Sequence, residues 1–159
     1  RYTAAFQRLD PSGPSSEPRR TRGNAGAYAL LEGTLVPGTE PAKPQLSGWV
    51  RLGVADPRFS PVDIYLGGGL VVRSPVGARP DDRLGVALAL ARFGGEWRRA
   101  QAAEGVATDG HELILETTWS APLGPRLNVQ PNLQYVVNPG GTAALSDALV
   151  IGLRGQLAF

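Results

Sequence analysis

Hydrophobic residues in this chain recur at every second position over segments of about ten residues, and Gly- and Pro-rich turns separate the segments. In residues 147–159, Leu149, Ile151, Leu153, Leu157 and Phe159 share one parity, interrupted only by Gly155. The other parity carries Ala148, Val150, Gly152, Arg154, Gln156 and Ala158. Side chains alternate across a β-strand, so this segment predicts a strand with one oily face and one small or polar face. Residues 127–137 repeat the pattern unbroken: Leu127, Val129, Pro131, Leu133, Tyr135 and Val137 oppose Asn128, Gln130, Asn132 and Gln134.

Five further segments read the same way. Residues 110–121 set Leu113, Leu115, Thr117 and Trp119 against Glu112, Ile114, Glu116 and Thr118. Residues 82–93 set Leu84, Val86, Leu88 and Leu90 against Gly85 and Ala87, Ala89 and Ala91. Residues 63–73 set Ile64, Leu66, Leu70 and Val72 against Tyr65, Gly67, Gly69, Val71 and Arg73. Residues 46–55 set Val50, Leu52 and Val54 against Trp49, Arg51 and Gly53. Residues 25–36 predict a strand whose facing stays open, because Ala27, Ala29 and Leu31 compete with Tyr28 and Leu30. Residues 1–9 read as the remnant of one more. The expectation is an all-β antiparallel fold of about seven or eight strands.

The amides at 128, 130, 132 and 134 decide the character of one face. Each buried amide needs hydrogen-bond partners, so four in a row mark a wet surface. In a soluble sandwich that surface is the outside; in a membrane barrel it is the lumen. The connections favour the barrel. Turns 121–126, 74–81 and 37–45 fall on one side, and the stretches 138–146, 94–109, 56–62 and 10–22 on the other, with 94–109 the longest. Short turns on one side and longer loops on the other suit an outer-membrane barrel. The strand ending on Phe159 resembles the closing strand of bacterial outer-membrane barrels, whose aromatic end is read by the insertion machinery. The alternative is a self-contained small barrel or a soluble β-domain with a structural or binding role. A narrow barrel must fill its interior with side chains. Here the polar parity is mostly Gly, Ala and amides, which points to a wide, water-filled barrel.

Composition removes several chemistries. There are 21 Gly and 14 Pro, which suits short strands and turns, and no cysteine, so disulfides and thiolate catalysis are out. A single histidine, His111, makes a His-based metal cluster impossible, and neither a metal nor a cofactor is expected. Lys43 is the only lysine, the net charge is +2, and the arginines are scattered, so no nucleic-acid partner is expected. No apolar run approaches the roughly 18 residues of a membrane helix. The chain opens on Arg1 and holds no methionine, so a signal peptide has been removed or this is the carboxy-terminal piece of a longer chain. His111 and Ser120 share a strand but lie nine residues, about 30 Å, apart with opposite parity, so no enzyme is expected.

Particular runs of the chain resemble a known family. Residues 63–73 (DIYLGGGLVVR), 77–87 (GARPDDRLGVA), 129–141 (VQPNLQYVVNPGG) and 147–154 (DALVIGLR) resemble, in the right order, the carboxy-terminal portion of the carbohydrate-selective porins of the OprB type. The resemblance runs from about Gly26 to Phe159. It implies a sixteen-stranded outer-membrane β-barrel that passes sugars by diffusion, with residues 1–159 as roughly its last half within one barrel domain. The amino-terminal half, which supplies much of the family's constriction, then lies outside this chain.

On that expectation the solute path is lined by Trp49, Arg51, Tyr65, Arg73, Glu112, Glu116, Asn128, Gln130, Asn132, Gln134 and Arg154. The amides can exchange hydrogen bonds with sugar hydroxyls, or merely wet the wall. Arg51, Arg73 and Arg154 can grip paired hydroxyls, or form a salt network with Glu112 and Glu116 that stiffens the wall. Trp49 and Tyr65 can stack on sugar rings, or pack the wall. Trp119, Tyr135 and Phe159 fit an interfacial girdle, Phe159 doubling as insertion signal, and Arg92 can snorkel to lipid phosphates. The expected partners are sugars as solute, outer-membrane lipid and the barrel insertion machinery.

Overall fold

A computed structural model describes residues 5–9, 20–38, 43–76 and 79–159. Seven long strands form one antiparallel meander: β3 (Gly26–Val36), β4 (Gln45–Ala55), β5 (Val62–Arg73), β6 (Arg83–Phe93), β7 (His111–Pro122), β8 (Leu127–Val137) and β9 (Ala148–Leu157). They lie in sequence order, so each strand bonds its chain neighbours. β3 and β9 do not pair with each other, and the sheet is open rather than a small closed barrel.

Two expectations need correcting. The strand remnant at residues 1–9 does not extend the sheet. Among its described residues, 5–9, only β1 (Ala5–Gln7) is a strand, and it pairs with β2 (Arg20–Arg22) in a separate two-stranded ladder. Residues 1–4, and most of the expected 10–22 loop, lie outside the described residues. The long 94–109 connection is not all loop, since it holds helix α1 (Gly95–Ala103). Glu, Arg, Gln and Ala dominate that run and are good helix formers. Gly105, at φ +80°, ends the helix: its N–H bonds Ala102 O at 3.1 Å and Val106 N–H bonds Gln101 O at 2.8 Å. These paired bonds satisfy the last helical carbonyls, and the left-handed backbone they need suits glycine.

The ladders settle which residues share a face. One oily row runs Leu31–Val50–Gly68–Leu88–Leu115–Tyr135–Leu149, and the next runs Gly33–Gly48–Leu70–Val86–Thr117–Leu133–Ile151. On β3, Tyr28 pairs with Gly53, which pairs with Tyr65, so Tyr28 lies on the polar side while Ala27, Ala29 and Leu31 are oily-side residues. Pro131 sits inside β8, where its missing N–H interrupts the β7–β8 pairing between Thr118 and Ala121.

Exposure runs opposite to that of a soluble protein. No hydrophobic residue is buried among the described residues, and Ile151, Leu153 and Leu149 are 79%, 75% and 62% exposed. Along β7 and β8 the oily side is mostly exposed, whereas Glu116, Thr118, Asn132 and Gln134 are half-buried. A soluble sandwich would bury the oily face against a second sheet. Among the described residues no second sheet covers that face.

Among the described residues the fully buried side chains are polar and lie in the β5–β6 turn: Ser74 at 1% and Asp82 at 2% exposure. Asp82 Oδ2 accepts from Arg79 Nε at 2.7 Å and from Trp119 Nε1 at 2.8 Å, tying this turn to the end of β7. Hydrogen bonding to Arg79 lowers the Asp82 carboxyl below its ordinary value; desolvation opposes the shift, and the Trp119 bond adds to it. At the other end of the sheet Arg58 grips Asp56 and holds its carboxyl at about 2.

Two predictions follow from this arrangement. Neighbouring residues on opposite faces should respond oppositely to one substitution: Leu115→Arg should destabilise the membrane-embedded barrel by about 2–4 kcal/mol, and Ile114→Arg by much less. Urea titration of barrels folded into vesicles measures both, and the reverse order would mean the faces are misassigned. A carboxyl whose folded pKa is lowered stabilises the fold above its ordinary pKa, and that contribution is lost as pH falls through the lowered value. The emission of Trp119, isolated as the difference between wild type and Trp119→Phe, should therefore shift on acidification with a midpoint below about 3.9. Asp82→Asn should remove that transition; a midpoint at or above the ordinary value contradicts the pairing.

Candidate functional site

All the residues expected to line the solute path share the polar face. One row runs Glu32–Trp49–Gly69–Ala87–Glu116–Gln134–Val150. The row beside it runs Thr34–Ser47–Val71–Gly85–Thr118–Asn132–Gly152. Arg51 and Tyr65 lie on the far side of the first row, with Glu112 level with Tyr65 through Ala91. Arg73, Gln130, Arg154 and Asn128 lie toward the turn-bearing end.

The amides do not hang free. Asn128 Nδ2 donates to Ser120 Oγ at 3.1 Å, Gln130 Nε2 to Thr118 Oγ1 at 3.0 Å, and Gln134 Nε2 to Glu116 Oε2 at 2.9 Å. Asn132 instead leans across Gly152, where a Cβ would meet its Oδ1. Each tie fixes a rotamer and leaves the other amide valences open to water or solute. The result is a rigid polar stripe along β8, clasped by β7.

The three arginines do not form the salt network. Arg51 lies over the Trp49 ring at 5.9 Å from its centroid, and Arg73 approaches Asp81 at 3.4 Å. The Arg154 side chain has no hydrogen-bond partner among the described residues; its ladder neighbour is Gln130. Glu112 accepts from the Gly140 backbone N–H, which anchors the β8–β9 loop, and Glu116 is taken by Gln134. Cross-strand spacing explains this. The glutamates on β7 face β6 alanines and the β8 amide, and the arginines stand on other strands.

Trp119 and Tyr135 lie on the oily face, 37% and 43% exposed, and Phe159 is wholly exposed beyond the end of β9. The β9 ladder closes with Ala158 N–H on Arg126 O at 2.9 Å. Two of these aromatics have a polar tether: Trp119 on Asp82 Oδ2, and Tyr135 through its hydroxyl on Asp147 Oδ2 at 2.8 Å. Arg92 also lies on the oily side but is held by Asp63 through two 2.9 Å bonds. His111 contacts Asp109 O and Asn138 rather than a nucleophile. Among the described residues no cluster of His, Cys, Asp and Glu fits a metal ion.

Sequence reading missed several members of the polar face. Tyr28, Leu30, Glu32 and Thr34 belong to it, but the facing of β3 was open until the β4 ladder fixed it. Ser47 and Ser120 share the polar parity and were passed over for larger neighbours, and Thr118 was read on that parity but not on the solute path.

The comparisons with known proteins agree on one class. The model of the carbohydrate-selective porin, OprB family, matches residues 2–159. Porin B of Pseudomonas aeruginosa is 28% identical over 163 residues, covering 94% of this chain and 36% of that protein. The high-pH structure of Pseudomonas putida OprB superposes with a TM-score of 0.87 at 24% identity, covering 99% of this chain and 42% of that one. The chain thus spans well under half the length of these porins, and its open seven-stranded sheet matches a sector of an OprB barrel. Porins are channels rather than enzymes. This chain belongs to the carbohydrate-selective porin family of the OprB type.

Proposed function

We propose that residues 1–159 form the carboxy-terminal sector of one outer-membrane barrel domain, through which carbohydrates diffuse in water. The observation that carries this reading is the inverted sheet, with its leucine face exposed and its amide face sheltered. A neutral sugar must exchange hydration hydroxyl by hydroxyl and must leave as easily as it enters, so it needs many weak polar contacts. Asn128, Gln130, Asn132 and Gln134 form such a stripe along the wall, each with donors and an acceptor. Arg73 and Arg154 add donors near the turn-bearing end. On the lipid side, Trp119, Tyr135 and Phe159 serve as the interfacial girdle, and the β9 end is the segment the insertion machinery engages.

In the closed barrel, Gln130→Leu, Asn132→Leu and Gln134→Leu combined should slow sugar flux more than small-ion conductance. Each lost bond is worth only about 0.5–1.5 kcal/mol because water compensates, so the triple change is needed for a clear effect. Liposome swelling with a monosaccharide, set against single-channel conductance, measures the difference; an equal drop in both would mean that the amides only keep the wall wet. Deleting Phe159 should sharply reduce the amount of barrel reaching the outer membrane, and unchanged surface levels would refute its role in insertion.

A further inference from the structure

Several connections meet at the loop-bearing end of the sheet, on its polar side. Phe93, two residues beyond Ala91, keeps the parity of the polar face. Trp97 of α1 stacks on its ring, with centroids 4.4 Å apart. Gly141 of the β8–β9 connection lies against the same ring, where a Cβ would meet it. The helix is therefore drawn over the polar side of this end rather than toward the oily one.

Little holds it there. Helix α1 has nine residues, none of them buried, and Gly94 at its start gives no side-chain cap. An isolated helix shorter than about 12 residues is marginal in water, so docking decides where this one sits. Its docking partner is Arg8, which follows β1. Arg8 Nη2 donates to Glu96 Oε1 at 2.8 Å, and the two side chains are 25% and 12% exposed. Beside it Leu9 N–H bonds Arg58 O at 2.9 Å, so residues 8–9 strap α1 to the β4–β5 connection.

The chemistry of this strap lets it part. Arg8 and Glu96 share one hydrogen bond, and Arg8 Nε and Glu96 Oε2 stay buried without a partner among the described residues. A pair so incompletely bonded recovers only part of its desolvation cost. Each side of the strap also keeps a counter-ion of its own. Arg99 reaches Glu96 at 3.0 Å from within α1, and Arg58 grips Asp56 within the β4–β5 connection. Separation returns Arg8 to water and strands no bare acid.

We propose that α1 is a lid over the loop-bearing mouth and that the Arg8–Glu96 pair is its clasp, so that the pore passes between a covered and an open state. This rests on the reading of the chain as a sector of a pore. It adds a gate that acts on ions and sugars alike.

Single-channel records of the full-length barrel in potassium chloride test it, with the ratio of closed to open dwell times as the measure. Wild type should show two conductance levels. Arg8→Gln and Glu96→Gln should each lower the closed-to-open ratio about two- to fivefold. The double variant should lower it no further, because both changes release one clasp. Arg8→Cys with Glu96→Cys, joined by a reducible bifunctional methanethiosulfonate, should stay at the lower level. Reduction should free the lid and bring the ratio below that of wild type. Heat-modifiable gel mobility identifies variants that have folded. A single wild-type level, additive effects of the two Gln variants, or cross-linked barrels that open like reduced ones would each overturn the lid and leave the pore reading intact. Folded barrels that carry no ion current in any of these forms overturn both.

Discussion

Hydrocarbon offers no hydrogen bonds, so a strand exposed to lipid must satisfy every backbone N–H and C=O through neighbouring strands. The seven-stranded ladder does this for its interior strands, and the remaining features follow from it. The ladder fixes register, register fixes facing, and facing sorts most of the leucines to one side and the β8 amides and most of the charges to the other. Pro131 is tolerated inside β8 although it deletes a ladder bond, and Thr118 Oγ1 donates to its carbonyl at 3.3 Å. The outer edges of β3 and β9 carry unpaired backbone groups, a condition that strand partners resolve in a closed barrel.

Much of this was legible in the amino-acid pattern. A period of two over ten or so residues has no helical counterpart, so strand existence and facing could be read for β4 through β9. What was not legible depended on neighbours. The facing of β3 emerged only from Gly53 and Tyr65 across the ladder. Helix α1 was hidden because its nine residues present little apolar periodicity, and Gly105 signals a helix end only once a helix is suspected. The pairing of arginines with glutamates failed as an expectation because like parity on a sheet says nothing about which strands adjoin.

The candidate path shows the same division. Alternation alone placed Trp49, Arg51, Tyr65 and the β8 amides on one face. It could not show that Gln134 is held by Glu116, or that Trp49 lies over Gly69. Glycine packs nothing within a strand, so the Gly67-Gly68-Gly69 run adds no side chains of its own to either face. In the folded sheet the absent side chains at Gly67 and Gly69 leave room for the Tyr65 and Trp49 rings to lie along the wall.

The chain contains no cysteine, so single cysteines report cleanly on facing. The most direct measurement introduces cysteine at each of residues 130–135 of β8 in turn and scores reaction with a charged, membrane-impermeant maleimide in folded barrels. Labelling should alternate, with 130, 132 and 134 reacting from water and 131, 133 and 135 protected by lipid. Uniform labelling, or the opposite alternation, would contradict the assignment of the amide face to the water-filled side.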